Sequence, residues 1–216
     1  MSKNIKNELF NVLSGKSEVS NGSTIQTIAC YLKDGEGTSV SIEDKKHFKK
    51  QETKRLEEFV LEKNLWIDTI DFSQYVSEGA EQRVYLKDGE HVLKLNDAIY
   101  YASWIDYFYN LLIHNYFFPD TAYTLNGFMK VNDSLYAVVQ QNFVAITAPT
   151  NLDKVKQFMS ANGFENNRNN DYINTDLGLI LEDLHDENVL NRNDVLYFID
   201  TVFYVTSHFW TSFNNS

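Results

Sequence analysis

The sequence predicts a mixed α+β chain, with residues 1–66 helical and residues 67–216 built of strands, one helix, then more strands and short helices. Three observations carry this expectation. Apolar residues at the start recur at helical spacing among many charges. From residue 67 short runs of β-branched and aromatic residues take over, and turn formers such as Asp-Gly and "NDS" stand between those runs.

The opening "NIKNELFNVL" sets Ile5, Leu9, Phe10 and Leu13 on one helical face. "STIQTIACYL" repeats the pattern after a Ser/Thr start, with "KDGEG" as its stop. "SIEDKKHFKKQETKRLEEFVLEKNLW" is expected as one long amphipathic helix that turns Phe48, Leu56, Val60 and Leu61 inward and leaves its charges in solvent.

"DFSQYV", "QRVYL" and "HVLKLN" follow as short strands, the last two joined by the tight-turn sequence "KDGE". "AIYYASWIDYFYNLLIHNYF" is an apolar helix ended by Pro119, and "GFMKVN" and "LYAVVQQNFV" form a strand pair. "TNLDKVKQFMSANGF" has the caps and spacing of a helix, and "NNRNNDY" is expected as a polar loop. The apolar runs "LGLIL" and "VLYFI" flank an acidic stretch, and "DTVFYVTSHFW" is a strand running into a short final helix.

Composition narrows the partners. Hydrophobic residues make up 43% of the 216 and aromatics 14%, enough for a substantial core. Nineteen basic against thirty acidic residues give a net charge of −11, which repels nucleic acid and anionic membrane surfaces alike. The single cysteine, Cys30, excludes an internal disulfide. No apolar run approaches a membrane span and the start does not resemble a signal peptide, so the chain is expected to be soluble and cytoplasmic.

Phosphoryl transfer needs a carboxylate to orient the attacking hydroxyl, oxygen ligands for a divalent ion, a lysine on the phosphates and a backbone loop over them. Each has a candidate here. In "LEDLHDENVL" (181–190) Asn188 stands five residues after Asp183, and Asp200 follows "VLYFI". The intervening "VLNRNDVLYFI" has the pattern strand, turn, strand, which folds Asp200 back so that Asn188 and Asp200 can share one Mg2+. Upstream, "SEGAEQRV" (77–84) lies on a glycine-loop pattern, with Ser77, Gly79 and Gln82 at the glycine positions and Val84 at the valine. Lys94, centred in an apolar strand one hairpin later, needs an anionic partner such as a nucleotide phosphate. If a nucleotide binds, adenine is expected to stack near "VVQQNFV", with Gln141 to Phe143 as the hinge. Glu182, Asp186 and Glu187 are expected to structure the loop, and "LSGKSEV" lacks the first glycine of a P-loop. The histidines show no paired metal spacing.

"EDLHDENVL" with "FIDT" resembles the catalytic core of the protein-kinase-like fold, in particular the aminoglycoside phosphotransferase loop D-x-H-x-x-N, matched by Asp183, His185 and Asn188. More closely, "SEGAEQRVYLKDGEHVLKLND", "FFPDTAY" and "LEDLHDENVL" are similar to the polyvalent protein kinase domains of Bacteroidetes and their mobile elements, over about residues 70–205. The resemblance implies a two-lobed protein-kinase-like fold, with a first lobe at about 67–145 and a reduced second lobe at about 146–216, preceded by the helical extension 1–66. It also implies ATP and Mg2+ as cofactors and a catalytic Asp183, and it leaves the acceptor open among a protein, a small molecule and the chain itself.

The departures from that family's pattern are specific. Leu181 and Glu182 replace the residues that normally precede the catalytic aspartate, Thr201-Val202 replaces Phe-Gly, and only 16 residues follow Asp200, too few for an activation segment and substrate-binding helices. The helix after Lys94 holds no glutamate, which leaves Asp106 as candidate ion-pair partner. Two other readings therefore stand beside the enzyme: a nucleotide-binding pseudokinase acting as scaffold or switch, and an interaction domain that has lost the nucleotide.

Overall fold

Helical spacing at the start of the chain forms helices in the computed structural model, which describes residues 2–34, 45–79, 82–211 and 213. Most of the expected "KDGEG" stop, the first residues of the long helix, the His47 side chain and Ala80–Glu81 of the glycine loop lie outside the described residues. Helix α1 spans Ser2–Leu13, α2 Ser23–Lys33 and α3 Lys45–Glu62. They bury Leu9, Val12 and Leu13, then Ile25, Ile28, Ala29 and Leu32, then Leu56, Phe59 and Val60. Leu61, expected inward, is 72% exposed, and Phe59 takes its place in the core. The apolar face of α3 therefore centres one step earlier along the helix than expected.

A five-stranded antiparallel sheet follows, in the order β1-β2-β3-β5-β4: β1 Tyr75–Glu78, β2 Gln82–Leu86, β3 His91–Asn96, β4 Thr124–Val131 and β5 Ser134–Asn142. The β4–β5 turn places Asn132 and Asp133 at φ 49 and 64. Two consecutive left-handed residues match the right-handed twist of the strands they join, and Asn and Asp tolerate that conformation best after glycine. The linker from α3 joins the sheet through Ile67 N–H to Phe128 O at 2.7 Å and Phe128 N–H to Leu65 O at 2.9 Å. Gly127 is required there, because a Cβ would stand 2.3 Å from Leu65 O.

Helix α4, Trp104–Phe117, connects β3 to β4. It begins later than the Ala98 expected, because the Ser103 side chain accepts the Asp106 N–H at 3.0 Å and sets the N-cap. Nearly all of α4 is buried, and Trp104, Tyr107 and Phe108 are among the largest side chains fully enclosed. Each such burial stabilises by about 1.5–3 kcal/mol. A single core cluster runs from α1–α3 through α4 into the following strands.

The remainder is strand-rich. It holds α5 Leu152–Ala161, β6 Glu165–Arg168, β7 Asp171–Asn174, β8 Leu179–Glu182, β9 Val189–Arg192, β10 Val195–Phe198, β11 Val202–Val205 and α6 Ser207–Thr211. One four-stranded sheet has the order β11-β8-β7-β6, and β9 pairs with β10. The "polar loop" is in fact the β6–β7 hairpin, whose first strand is exposed throughout and is held by main-chain pairing to β7. No described helix is long and apolar enough to cross a membrane.

Candidate functional site

Strand alternation aims Lys94. Its neighbours Leu93 and Leu95 belong to the small cluster of Tyr85, Met129 and Val138 on one face of the sheet. Lys94 therefore turns to the opposite face. It is fully buried, and its Nζ donates to Ile199 O at 2.7 Å and stands 5.4 Å from the centre of the Tyr123 ring. Burial pushes its pKa down, and the Asp200 carboxylate pulls it back up.

Asp200 is folded back to Asn188 by the hairpin expected from sequence, and its charge there acts on Lys94. The β9–β10 turn places Asn193 and Asp194 at φ 53 and 63, and the register pairs Phe198 with Val189. Beyond the last pair, Ile199 and Asp200 donate their N–H groups to Asn188 O at 2.9 and 3.4 Å. The acidic stretch is anchored by Leu184 and Val189, both fully buried, which leaves the polar residues between them at the surface or partly covered. Asp183 itself sits at φ 68, a conformation that costs a non-glycine residue energy and persists where its surroundings over-determine it.

Those surroundings are short hydrogen bonds. Asn188 Nδ2 donates to the Asp183 carbonyl and to its Oδ2, both at 2.9 Å, and the Asp183 N–H donates to Asp171 Oδ1 at 3.1 Å. His185 Nδ1 accepts the Glu187 N–H at 3.2 Å, and its Nε2 lies 3.3 Å from Asp183 Oδ1 and 3.1 Å from Asn188 Nδ2. Like charge gathers here. Burial, then Asp171 and Asp183, push the pKa of Glu182 up.

Between the two groups of strands lies a cleft of about 260 Å³, lined by Ser77, Gly79, Gln82, Val84, Lys94, Gln141, Phe143, Asn188 and Asp200, with Glu187. Asp183 does not line it and reaches its edge through Asn188. The apolar wall is Val84 and Val92 from the first sheet with Leu190 from β9. Gln82 Nε2 donates to Asp200 Oδ2, so the glycine-loop strand closes on the metal candidate. Gln141 and Phe143 line the cleft while also bonding outside it: the Gln141 side chain donates to Thr121 O and the Phe143 N–H to Glu90 O, each at 2.7 Å.

Asp106 is not the partner of Lys94. Its charge acts on Lys49, whereas the carboxylate that acts on Lys94 is Asp200. Three residues at the site escape a sequence reading. Tyr123 donates its hydroxyl to Ile199 O at 2.8 Å, sharing that acceptor with Lys94. His114, fully buried on α4, bonds Thr201 Oγ1 at 2.7 Å through Nδ1 and Thr121 O at 2.9 Å through Nε2. Thr201 is the immediate neighbour of Asp200. A buried imidazole or hydroxyl carries no spacing signal, so only the "FFPDTAY" and "FIDT" runs hinted at this network.

A larger cavity, about 390 Å³, lies between α1, the α1–α2 loop and α4. Its charged lining residues, Glu8 and Glu18, would repel a triphosphate, and none of the sequence-derived candidates borders it. Among the described residues no group of three or more His, Cys, Asp or Glu side chains could hold a metal by itself.

Comparison with known proteins gives a family and no assignment of individual residues. No curated protein and no solved structure matches significantly. A family model does match, from residue 49 inside α3 to residue 207 beyond β11, and so spans the cleft and every candidate residue. The chain belongs to the family described as serine/threonine/tyrosine kinase found in polyvalent proteins.

Proposed function

We propose that the protein is an ATP- and Mg2+-dependent phosphotransferase whose nucleotide lies between the five-stranded sheet and the strand-rich second unit, as two lobes about a cleft. The observation that supports this best is the convergence of Lys94, Asn188 and Asp200, far apart in sequence, on one small cleft under the Gly79 loop. The loop Asp183-x-His185-x-x-Asn188 follows the aminoglycoside phosphotransferase pattern and leaves both protein and small-molecule acceptors open.

Each side chain then has a task. A flat purine fits between Val84 and Val92 on one side and Leu190 on the other. Lys94 spends one N–H on Ile199 O and keeps the others for the α- and β-phosphates, whose charge offsets its burial. Asn188 Oδ1 and the Asp200 carboxylate are two hard oxygen ligands. That suits Mg2+, which takes few protein ligands and completes its shell with phosphate oxygens and water. When bound, the ion neutralises charge on the phosphates. Asp183 accepts the proton of the acceptor hydroxyl and orients its oxygen, held in place by Asn188 and His185.

The test is phosphate release or autophosphorylation by the purified chain beside Asp183→Asn and Asp200→Asn. Both variants are expected to lose at least about 100-fold in rate, and equal rates in all three proteins would remove the catalytic assignment. The Gln82 amide on Asp200 favours a second reading, a nucleotide-binding pseudokinase. Stabilisation by Mg·ATP without turnover would select it.

A further inference from the structure

Helix α3 grips the start of α4 with two residues one helical turn apart. Glu52, 2% exposed, accepts the Trp104 N–H at 2.9 Å on Oε2 and the Ile105 N–H at 3.4 Å on Oε1. A carboxylate from another element thus satisfies N–H groups of the first turn and adds negative charge where the helix dipole favours it. Lys49 Nζ donates to Ala98 O, and to Tyr101 O at 2.9 Å, fixing the loop that leads in.

The rest of α4 holds the segment that carries Asp200. Asn110 Oδ1 accepts the Phe203 N–H at 2.8 Å, and His114 bonds Thr201 at 2.7 Å. Asn115 clasps Tyr123 by two bonds, donating to its carbonyl at 2.8 Å and accepting its N–H at 2.6 Å. Tyr123 in turn holds Ile199 O. Residues 199, 201 and 203 are all tied to one helix, directly or through Tyr123. Asp200, between the first two, is flanked on both sides by residues tied to α4.

We propose that Glu52 is a positioning residue: by capping α4 from α3 it fixes the Ile199–Phe203 segment and so the place of Asp200. The N-terminal helical region thereby sets the metal requirement of the cleft, which rests on the reading of Asp200 as a metal ligand. α4 brings no carboxylate to Lys94, and its grip on 199–203 supplies the alignment instead.

The test uses the full chain with Glu52→Ala and Glu52→Gln, the second keeping one acceptor oxygen and the shape. Hydrogen exchange without nucleotide is expected to quicken about tenfold at residues 199–203 as well as at 104–107 in Glu52→Ala, with β4 and β5 unchanged and Glu52→Gln intermediate. In turnover, the Mg2+ concentration for half-maximal rate is expected to rise about fivefold in Glu52→Ala while metal-free ATP affinity stays put. Native exchange at 199–203 beside a loosened α4 start would overturn the proposal, and so would an unchanged Mg2+ requirement in an active protein. If Glu52→Ala does not fold, the Glu52→Gln exchange pattern decides alone. The exchange arm needs no activity, so an inactive native chain would count against phosphotransfer and leave the coupling to be judged on its own.

Discussion

One amide nitrogen of Asn188 donates to both the main-chain carbonyl and the carboxylate of Asp183, at 2.9 Å each. The bond pair holds Asp183 at φ 68 and aims its side chain, and on the proposed reading it leaves the Asn188 Oδ1 for an ion. One residue therefore couples the acceptor side of the proposed reaction to the metal side.

Replacing Asn188 by Asp removes both N–H donors and sets a carboxylate against two acceptor oxygens. The Asp183 side chain is 57% exposed, so solvent screens the repulsion. Asn188→Asp is expected to be less stable than Asn188→Ala by about 1 kcal/mol. Urea unfolding of the two variants checks this, and equal midpoints would mean that the amide is not an anchor.

The Gln82 amide donates to Asp200 Oδ2, so on the proposed reading it competes with Mg2+ for that carboxylate. A hydrogen bond to a charged group contributes about 1.5–3 kcal/mol, of which water recovers part when the amide is removed. Gln82→Ala is therefore expected to lower the Mg2+ concentration for half-maximal ATP binding by about three- to tenfold. A higher requirement in the variant would show that Gln82 supports the ion instead.

Lys94→Met separates binding from folding. The buried ammonium disfavours its own charged state, and Tyr123 still donates to Ile199 O after the change. The variant is expected to be at least as stable as the native chain at neutral pH, yet to show no Mg·ATP thermal shift. The sign with pH follows from the lowered pKa. Between the folded value and the ordinary 10.5 the unfolded chain binds more protons, so native stability from this group rises as pH rises toward 10.5. The advantage of Lys94→Met should accordingly shrink as pH is raised, and a growing advantage would contradict the burial account.

How much of this was legible depends on which groups carry the structure. The hairpins β4–β5 and β9–β10 announce themselves by apolar strands around Asn-Asp turns, and with the second of them the approach of Asp200 to Asn188. The β6–β7 hairpin does not, because "ENNR" buries nothing and strand identity there comes from main-chain pairing, with the Asn166 amide donating to Asn169 O and Asp171 O. Lys94 misled for the same reason. Its hydrogen-bond acceptor is a main-chain carbonyl, which no sequence pattern marks, and Asp106 is the only carboxylate that α4 offers in its place. The helix start at Trp104 was readable from Ser103, yet the apolar residues before it blurred the boundary.

His114 gives the sharpest pH signature. Its Nε2 proton goes to Thr121 O and its Nδ1 lone pair takes the Thr201 hydroxyl, so both ring nitrogens are used in the neutral form. Burial drives its pKa from 6.5 to about 3, with the Thr121 carbonyl acting against the shift and the charge of Lys94 adding to it. Between those values the unfolded chain holds one proton more than the folded one. Stability from this residue is complete above about pH 6.5 and falls as pH drops toward 3, with a slope of up to about 1.4 kcal/mol per pH unit. His114→Gln cannot titrate, and its amide can still donate to Thr121 O. Across about pH 4 to 7 the native chain is expected to lose stability faster than the variant. Because the other acids titrate in both proteins, the difference between the two curves isolates His114. Parallel curves would assign the acid sensitivity elsewhere and leave the imidazole as packing alone.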